Sequence, residues 1–391
     1  MPAAREKNRE IRYAATLSGV IALRMMGLFL ILPVFMVLAR DIPGYTPLSA
    51  GIAVGAYGLT QAILQQPFGW LSDRWGRRPV MLLGLALFAI GSVLAALSDS
   101  MGMLIAGRAL QGCGAIAGVA MALAADVTRP ERRPLVMAVI GIGIGGAFLL
   151  SMVLSVPLST VLGLHGLFWL TVAFAVAGMV LIATVPSVPP AHREVTTSDD
   201  VDMRPVWILS LSVFLLHCLM TLFFVTLPPM LVTRFGFPLQ SHWKVYVPTM
   251  LLAVAFMLPI LRVVGKNLSE HRLLPRAFVA LALAMALLPF SGYWAALGLC
   301  VTAYFVGFNL LEAAMPALLA RLTGTRGRGR RMGMYSTFQF LGAFTGGVAG
   351  GWVSGHFGAR VAMLGAGAVC LLWAGLLKAM SRSFFPTGVG G

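Results

Sequence analysis

Long apolar windows alternate with short polar knots along all 391 residues. Twelve windows reach membrane-spanning length, at about 14–39, 48–71, 79–97, 101–125, 134–158, 165–186, 205–232, 242–261, 274–291, 294–320, 332–355 and 360–380. Inside a bilayer every backbone N–H and C=O must be satisfied within the protein, so these windows predict helices. One polar connection is much longer than the rest, SVPPAHREVTTSDDVDMR at 187–204, and it separates six windows from six. The pattern predicts an all-α integral membrane protein with twelve transmembrane helices in two six-helix bundles. Its parts are an N-terminal segment 1–13, a first bundle 14–186, a linker 187–204, a second bundle 205–380 and a tail 381–391.

A shift of 195 residues lays parts of one half over the other. GLFLILP (27–33) falls within TLFFVTLP (221–228), with Pro33 on Pro228, and LAADVTR (123–129) falls on LLARLTG (318–324). Glycine-rich GIGIGG (141–146) in the fifth window has a counterpart in GGVAGG (346–351) of the eleventh. Parallel halves of this kind are a known transporter plan. One knot is not repeated. In GWLSDRWGRR (69–78) the shift carries Gly69, Asp73 and Gly76 onto Val264, Leu268 and His271, and it carries Asp126 onto Arg321. Asp73 and Asp126 are therefore lost together from the second half, as expected of residues that act together. Asp73 lies where helix three's positive N-terminal dipole favours an anion. Gly69 and Gly76 are expected to permit close approach and a tight turn. Arg77 is expected to pair with Asp126, forming with Arg74 and Arg78 a basic cluster that latches one arrangement of the bundle.

Composition agrees with lipid as the solvent: 59% of the residues are hydrophobic and only 11% charged, against about a quarter charged in soluble proteins. The net charge of +16 would suit a nucleic-acid partner, but its distribution argues otherwise. With the connections assigned alternately to the two sides, 23 of the 29 Lys and Arg fall on the side of the N-terminus. Only Arg40, Arg234, Lys244 and Arg360 fall opposite, and Arg24 and Arg108 lie within spans. That bias places both termini in the cytoplasm of a multi-pass bacterial inner-membrane protein. The first window is too long for a signal-peptide core and is expected to stay as helix one. Cys113, Cys218, Cys300 and Cys370 all fall within spans, with neither disulfide nor metal spacing.

Ionisable groups deep in a span are expensive, which makes them functional candidates. Arg24 in helix one, Arg108 in helix four and Glu312 in helix ten qualify, with His217 in helix seven a weaker fourth. Arg24 and Arg108 either bind an anionic or zwitterionic substrate or tie helices together through carboxylates and backbone carbonyls. Glu312 is the one acid far from a span end, with Phe308 and Asn309 on its own face. It is expected to carry a proton or to contact substrate. Tyr57, Gln61 and Gln65 recur every four residues in helix two, and Tyr335 and Gln339 do so in helix eleven. With Phe305, Phe308 and His217 these are candidates to line a substrate cavity, although each also reads as packing.

GWLSDRWGRRPV resembles the signature between helices two and three of the major facilitator superfamily, and LIAGRALQGCGAI (104–116) resembles the fourth-helix motif of its proton-coupled members. LRMMGLFLILPV, YGLTQAILQQPFGWLSDRWGRRP, GLHGLFW and HWKVY are similar to the YajR-type branch of bacterial drug:proton antiporters. Some members of that branch carry an extra soluble C-terminal domain, which this chain is expected to lack. Drug antiporters usually carry a Gly-Pro pair near the end of the fifth helix, where this sequence reads MVLSVPLS (152–159).

The resemblance implies proton-coupled export of amphipathic small molecules by alternating access. It implies a coupling role for Arg108 and Gln111. Many antiporters place their proton-carrying acid in helix one or four; here those helices carry Arg24 and Arg108, which leaves Glu312 for that role and Asp126 behind it. A proton-coupled nutrient importer is the alternative within the fold, and a non-transporting sensor the alternative outside it. No HExxH, GxSxG or nucleotide-binding loop points to an enzyme. The expected partners are small-molecule substrate, protons and lipid, with no cofactor, metal or nucleic acid, and the expected state is a monomer.

Overall fold

The computed structural model describes residues 2–185, 202–267, 270–322 and 328–384. The linker therefore lies outside the described residues except for its last three positions, as does the tail from 385 onward. Regular structure among the described residues is helical throughout. The helices are α1 (Pro2–Phe29), α2 (Phe35–Leu38), α3 (Pro47–Trp75), α4 (Arg77–Ala96), α5 (Met101–Cys113), α6 (Ala117–Asp126), α7 (Arg133–Ala183), α8 (Met203–Thr233), α9 (Trp243–Asn267), α10 (Glu270–Leu287), α11 (Trp294–Leu322) and α12 (Arg328–Phe384).

These elements are not one per pass. At 1.5 Å per residue, the 51 residues of α7 would reach about 76 Å if straight, far beyond a hydrocarbon core of about 30 Å. The helix instead turns at Gly163 (φ 64°, ψ −173°), and α12 turns at Gly358 (φ 84°, ψ 158°). Both are left-handed conformations that a side chain opposes. The two glycines stand 195 positions apart, the shift that relates the halves in sequence. Conversely, α1 and α2 form one pass interrupted at 30–34, where Pro33 removes a donor. The fourth predicted span, expected as one helix over 101–125, is two: α5 ends at Cys113 and α6 begins at Ala117. Counted this way the described residues make twelve passes, and the fold is all-α.

The chain gathers into two compact units. Unit 1 comprises Met1–Tyr45 and Ile52–Val195; unit 2 comprises Thr46–Gly51 and Thr196–Gly391. Within unit 1, α1 packs along α7, and α4 packs against α5 and α7. Leu17, Val20, Met81, Leu85, Ile116 and Leu123 are part of its core. Within unit 2, α8 packs along α12, and α10 contacts both α11 and α12. Here Gly342, Gly346 and Gly350 lie against Phe214, Cys218 and Leu222, leaving no room for a Cβ at the first two. Small residues every four positions let two membrane helices touch backbone to backbone. GIGIGG in α7 behaves differently: Gly143 fits against Ser18, whereas Gly141, Gly145 and Gly146 face open space. Outward-facing side chains are large and apolar, with Val161 at 82% and Ile142 at 75% exposure, as a lipid-facing surface requires.

Candidate functional site

The polar knot at 69–78 is mostly helix. α3 runs through Trp75, α4 starts at Arg77, and Gly76 alone makes the break, at φ 90° and ψ 155°. Gly76 thus carries the turn. Gly69 does not serve close approach: it lies inside α3 with open space around it. The break turns the first residue of α4 back onto the last turn of α3. Arg77 Nη1 lies 2.6 Å from Asp73 Oδ1 and donates to Ser72 Oγ at 2.5 Å, while its Nε donates to Asp126 Oδ2 at 3.1 Å. Ser72 Oγ in turn donates to the Gly69 carbonyl at 2.7 Å. One guanidinium therefore joins the end of α3 to the end of α6. Arg77 and Asp126 are largely buried, and Asp73 is half exposed. Removing a partner from a buried pair costs about 3–5 kcal/mol, because a charge is left uncompensated. Beside the cluster, Arg74 stacks over Trp70, 4.1 Å from the ring centre; Arg78 is partly buried.

Unit 1 buries two further arginines at membrane depth. Arg24 Nη2 donates to Gln61 Oε1 at 2.6 Å and to the Gly114 carbonyl at 2.9 Å. Gln61 Nε2 passes the chain on to Gln65 Oε1 at 3.2 Å. Arg108 Nη1 donates to Gln111 Oε1 at 2.7 Å, Arg108 Nε to the Ala53 carbonyl at 3.3 Å, and Gln111 Nε2 to Ser92 Oγ at 2.7 Å. Both guanidinium groups lie over Tyr57, at 5.6 Å and 5.3 Å from its ring centre. The helix-two stripe and both intramembrane arginines thus converge, linking to backbone carbonyls and amides. Among the described residues no carboxylate pairs with either arginine.

In unit 2, Gln339 Nε2 donates to Glu312 Oε1 at 3.2 Å and lies 2.9 Å from His217 Nε2. His217 Nε2 is 3.7 Å from Glu312 Oε2. An amide nitrogen can only donate, so His217 Nε2 accepts here, and Nδ1 carries the proton toward the Val213 carbonyl at 3.2 Å. Two titratable groups from α8 and α11 are therefore bridged by one amide from α12. Phe308 packs edge-on against His217. Tyr335 is buried with its hydroxyl unpartnered, and Asn309 is partly buried. Phe305 is enclosed by Phe223, Phe224 and Tyr304 in the aromatic core, and Tyr304 also stacks on Phe308.

Nothing in the sequence singles out Ser92, whose bond to Gln111 joins two helices. The break at Gly114 has a signal in GCGAI: a Cβ on Gly114 would strike the Gly84 carbonyl, so the backbone passes where only glycine fits. Ser155, at the place of the missing Gly-Pro pair, donates to the Leu30 carbonyl at 2.5 Å. That carbonyl belongs to the non-helical turn within the first pass.

Comparison with known proteins places this architecture. The inner membrane transport protein YajR of Escherichia coli is 39% identical over 378 residues, covering 94% of this chain and 82% of that protein. An uncharacterized transporter of Buchnera aphidicola subsp. Acyrthosiphon pisum is 30% identical over 353 residues, covering 86% of this chain and 89% of its own length. The crystal structure of a bacterial homologue of the human lysosomal transporter Spinster, inward-facing and occupied, is 14% identical. It superposes with a TM-score of 0.76 over 95% of this chain and 96% of that one. The sequence pattern of the Major Facilitator Superfamily matches residues 17–311 and 209–385. With twelve passes, two related halves and the Gly-Asp-Arg knot between its second and third passes, the chain belongs to the Major Facilitator Superfamily of membrane transporters.

Proposed function

We propose that this transporter exports amphipathic small molecules across the bacterial cytoplasmic membrane in exchange for protons, with both termini in the cytoplasm. The observation that carries proton coupling is the Glu312–Gln339–His217 cluster. A carboxylate at membrane depth needs donors or a cation to offset its charge. Ionised, Glu312 holds the Gln339 amide and any cationic partner that approaches; protonated, it loses the charge that holds that partner. Proton entry and partner release then become one event. The Asp73–Arg77–Asp126 cluster is the conformational latch of this reading, since its bonds span two helix ends that must separate for the cluster to open.

The test is substrate flux in proteoliposomes with and without an imposed pH gradient. The wild type is expected to concentrate substrate against its gradient. Glu312→Gln is expected to insert and fold yet only equilibrate substrate. Continued accumulation by the glutamine variant would make Glu312 structural and Asp126 the next candidate. Ser155 and Pro157 in place of a Gly-Pro pair favour a second reading, a proton-coupled importer; the direction of flux in the same vesicles separates the two. Orientation is tested by periplasm-active reporter fusions, expected to be active at Asp41 and Asp99 and inactive at Arg78 and Arg132.

A further inference from the structure

The first-half arginines are odd as structural ties. Arg24 is 2% exposed, and of its three nitrogens only Nη2 has partners; Nε and Nη1 are buried without any. Tyr57, whose ring lies beside both guanidinium groups, has a buried hydroxyl with no well-aligned hydrogen bond. Two full positive charges sharing one aromatic ring gain some cation–π attraction, but they repel each other, and no acid among the described residues offsets them. Arg24 also hydrogen-bonds loosely to the Tyr57 hydroxyl oxygen, yet its spare N–H groups and the Tyr57 O–H can all donate. A ligand that satisfies them together must accept, and a ligand that neutralises the excess charge must be negative.

The backbone beside Arg24 has the matching form. The Gly114 carbonyl that Arg24 holds belongs to the gap between α5 and α6. Non-helical backbone at membrane depth persists only where protein buries it or where it lines a cavity, and discontinuous helices mark binding sites in other transporters. The ten-residue α6 starts at this gap without a side-chain cap, so its first N–H groups are free for an anion. Gln65 stands over that first turn: a Cβ on Gly118 would lie 3.1 Å from Gln65 Nε2. Phe88, 5.6 Å from the Arg24 guanidinium, supplies an apolar wall.

We propose that unit 1 contains an anion site, formed by Arg24, the Tyr57 hydroxyl and the first turn of α6 after the break at Gly114–Ile116, for one monovalent anionic group. That group is either the carboxylate of an amphipathic substrate or a small inorganic anion. The site refines the substrate class of the transport reading without resting on proton coupling, and it is tested by binding rather than by flux, so the two fail separately.

Full-length protein in neutral detergent is melted in halide-free sulfate buffer with added benzoate, or with benzamide as its uncharged isostere. In a second arm chloride replaces sulfate at constant ionic strength. Benzoate or chloride is expected to raise the melting temperature by several degrees, as a ligand of the native state must, and benzamide is not. A response to benzoate alone identifies a carboxylate site; a response to chloride identifies an inorganic occupant. Arg24→Gln is expected to abolish the rise, Arg24→Lys to keep part of it, and Tyr57→Phe to weaken apparent affinity several-fold. The site is overturned if neither anion acts, if benzamide matches benzoate, or if the rise survives Arg24→Gln. Should Arg24→Gln not fold, an unchanged affinity in Tyr57→Phe overturns it instead.

Discussion

Gly163 of unit 1 and Gly358 of unit 2 stand 195 residues apart and turn a long helix in the same way, yet the polar interiors of the two units bury opposite charges. Unit 1 holds Arg24 and Arg108 around Tyr57, and among the described residues no carboxylate pairs with either. In unit 2 the deep charge is Glu312, bridged through Gln339 to His217. A pass across the membrane needs only apolar length and a turn at each end, so the scaffold of a repeat survives substitution. The buried polar groups are under no such constraint, and they differ between the units. The units also differ in how their helices meet. In unit 2 glycines of α12 touch the backbone of α8, whereas the glycine run in α7 of unit 1 is largely open.

The largest effect is expected from the element that unit 2 lacks. Arg77→Ala leaves Asp126 buried without its partner, a loss of about 3 kcal/mol, and transport in vesicles is expected to fall at least about tenfold. If Asp73 and Asp126 act through Arg77 as one unit, Asp73→Asn with Asp126→Asn costs little more than the worse single change; additive losses would separate their roles. Next comes the packing contrast. Gly346→Ala forces a Cβ onto the Cys218 carbonyl and is expected to lower stability by about 1–3 kcal/mol, read from melting in detergent. Gly145→Ala, in open space, is expected to leave stability unchanged or raised by up to about 1 kcal/mol.

A smaller, more specific effect is expected at the acidic centre. His217→Gln keeps a polar group beside Gln339 but removes a titratable one, so transport is expected to drop several-fold with an altered pH profile. His165→Gln is the control, because among the described residues His165 bonds the Ala96 carbonyl alone, at the end of α4; an equal change in pH profile there would remove His217 from coupling. The smallest difference between the units is expected at their turns. Gly163→Ala and Gly358→Ala each place a side chain at positive φ, at about 1–2 kcal/mol, and unequal costs would show that the two turns are not equivalent.

Much of the candidate site is legible in the sequence. Asp73 and Asp126 stand out because they vanish together under the internal shift, whereas Arg77 falls on Arg272, and the deep charges stand out because lipid makes them expensive. What hydropathy does not convey is where a span is broken. The fourth window reads as continuous across Gly114, since a three-residue gap hardly changes the mean hydropathy of twenty residues. Nor does it show that, of two phenylalanines touching Tyr304 on one helix, Phe308 also packs against His217 while Phe305 meets Phe223 and Phe224.

The sequence by itself determined the number of passes, the related halves, the side on which positive charge collects and the residues too costly to bury without purpose. All of these follow from partitioning between water and lipid, which acts on each segment locally. Only the tertiary structure decided which groups meet. Arg24 finds Gln61 and Gly114 at 37 and 90 residues' distance, and Gln339 reaches His217 across 122. Those meetings depend on how each helix is rotated about its axis. Rotation is set by close contacts such as Gly112 against the Tyr57 carbonyl and Gly346 against Cys218. A hydropathy pattern places a helix in the membrane, but packing between helices chooses the neighbours that its polar side chains face.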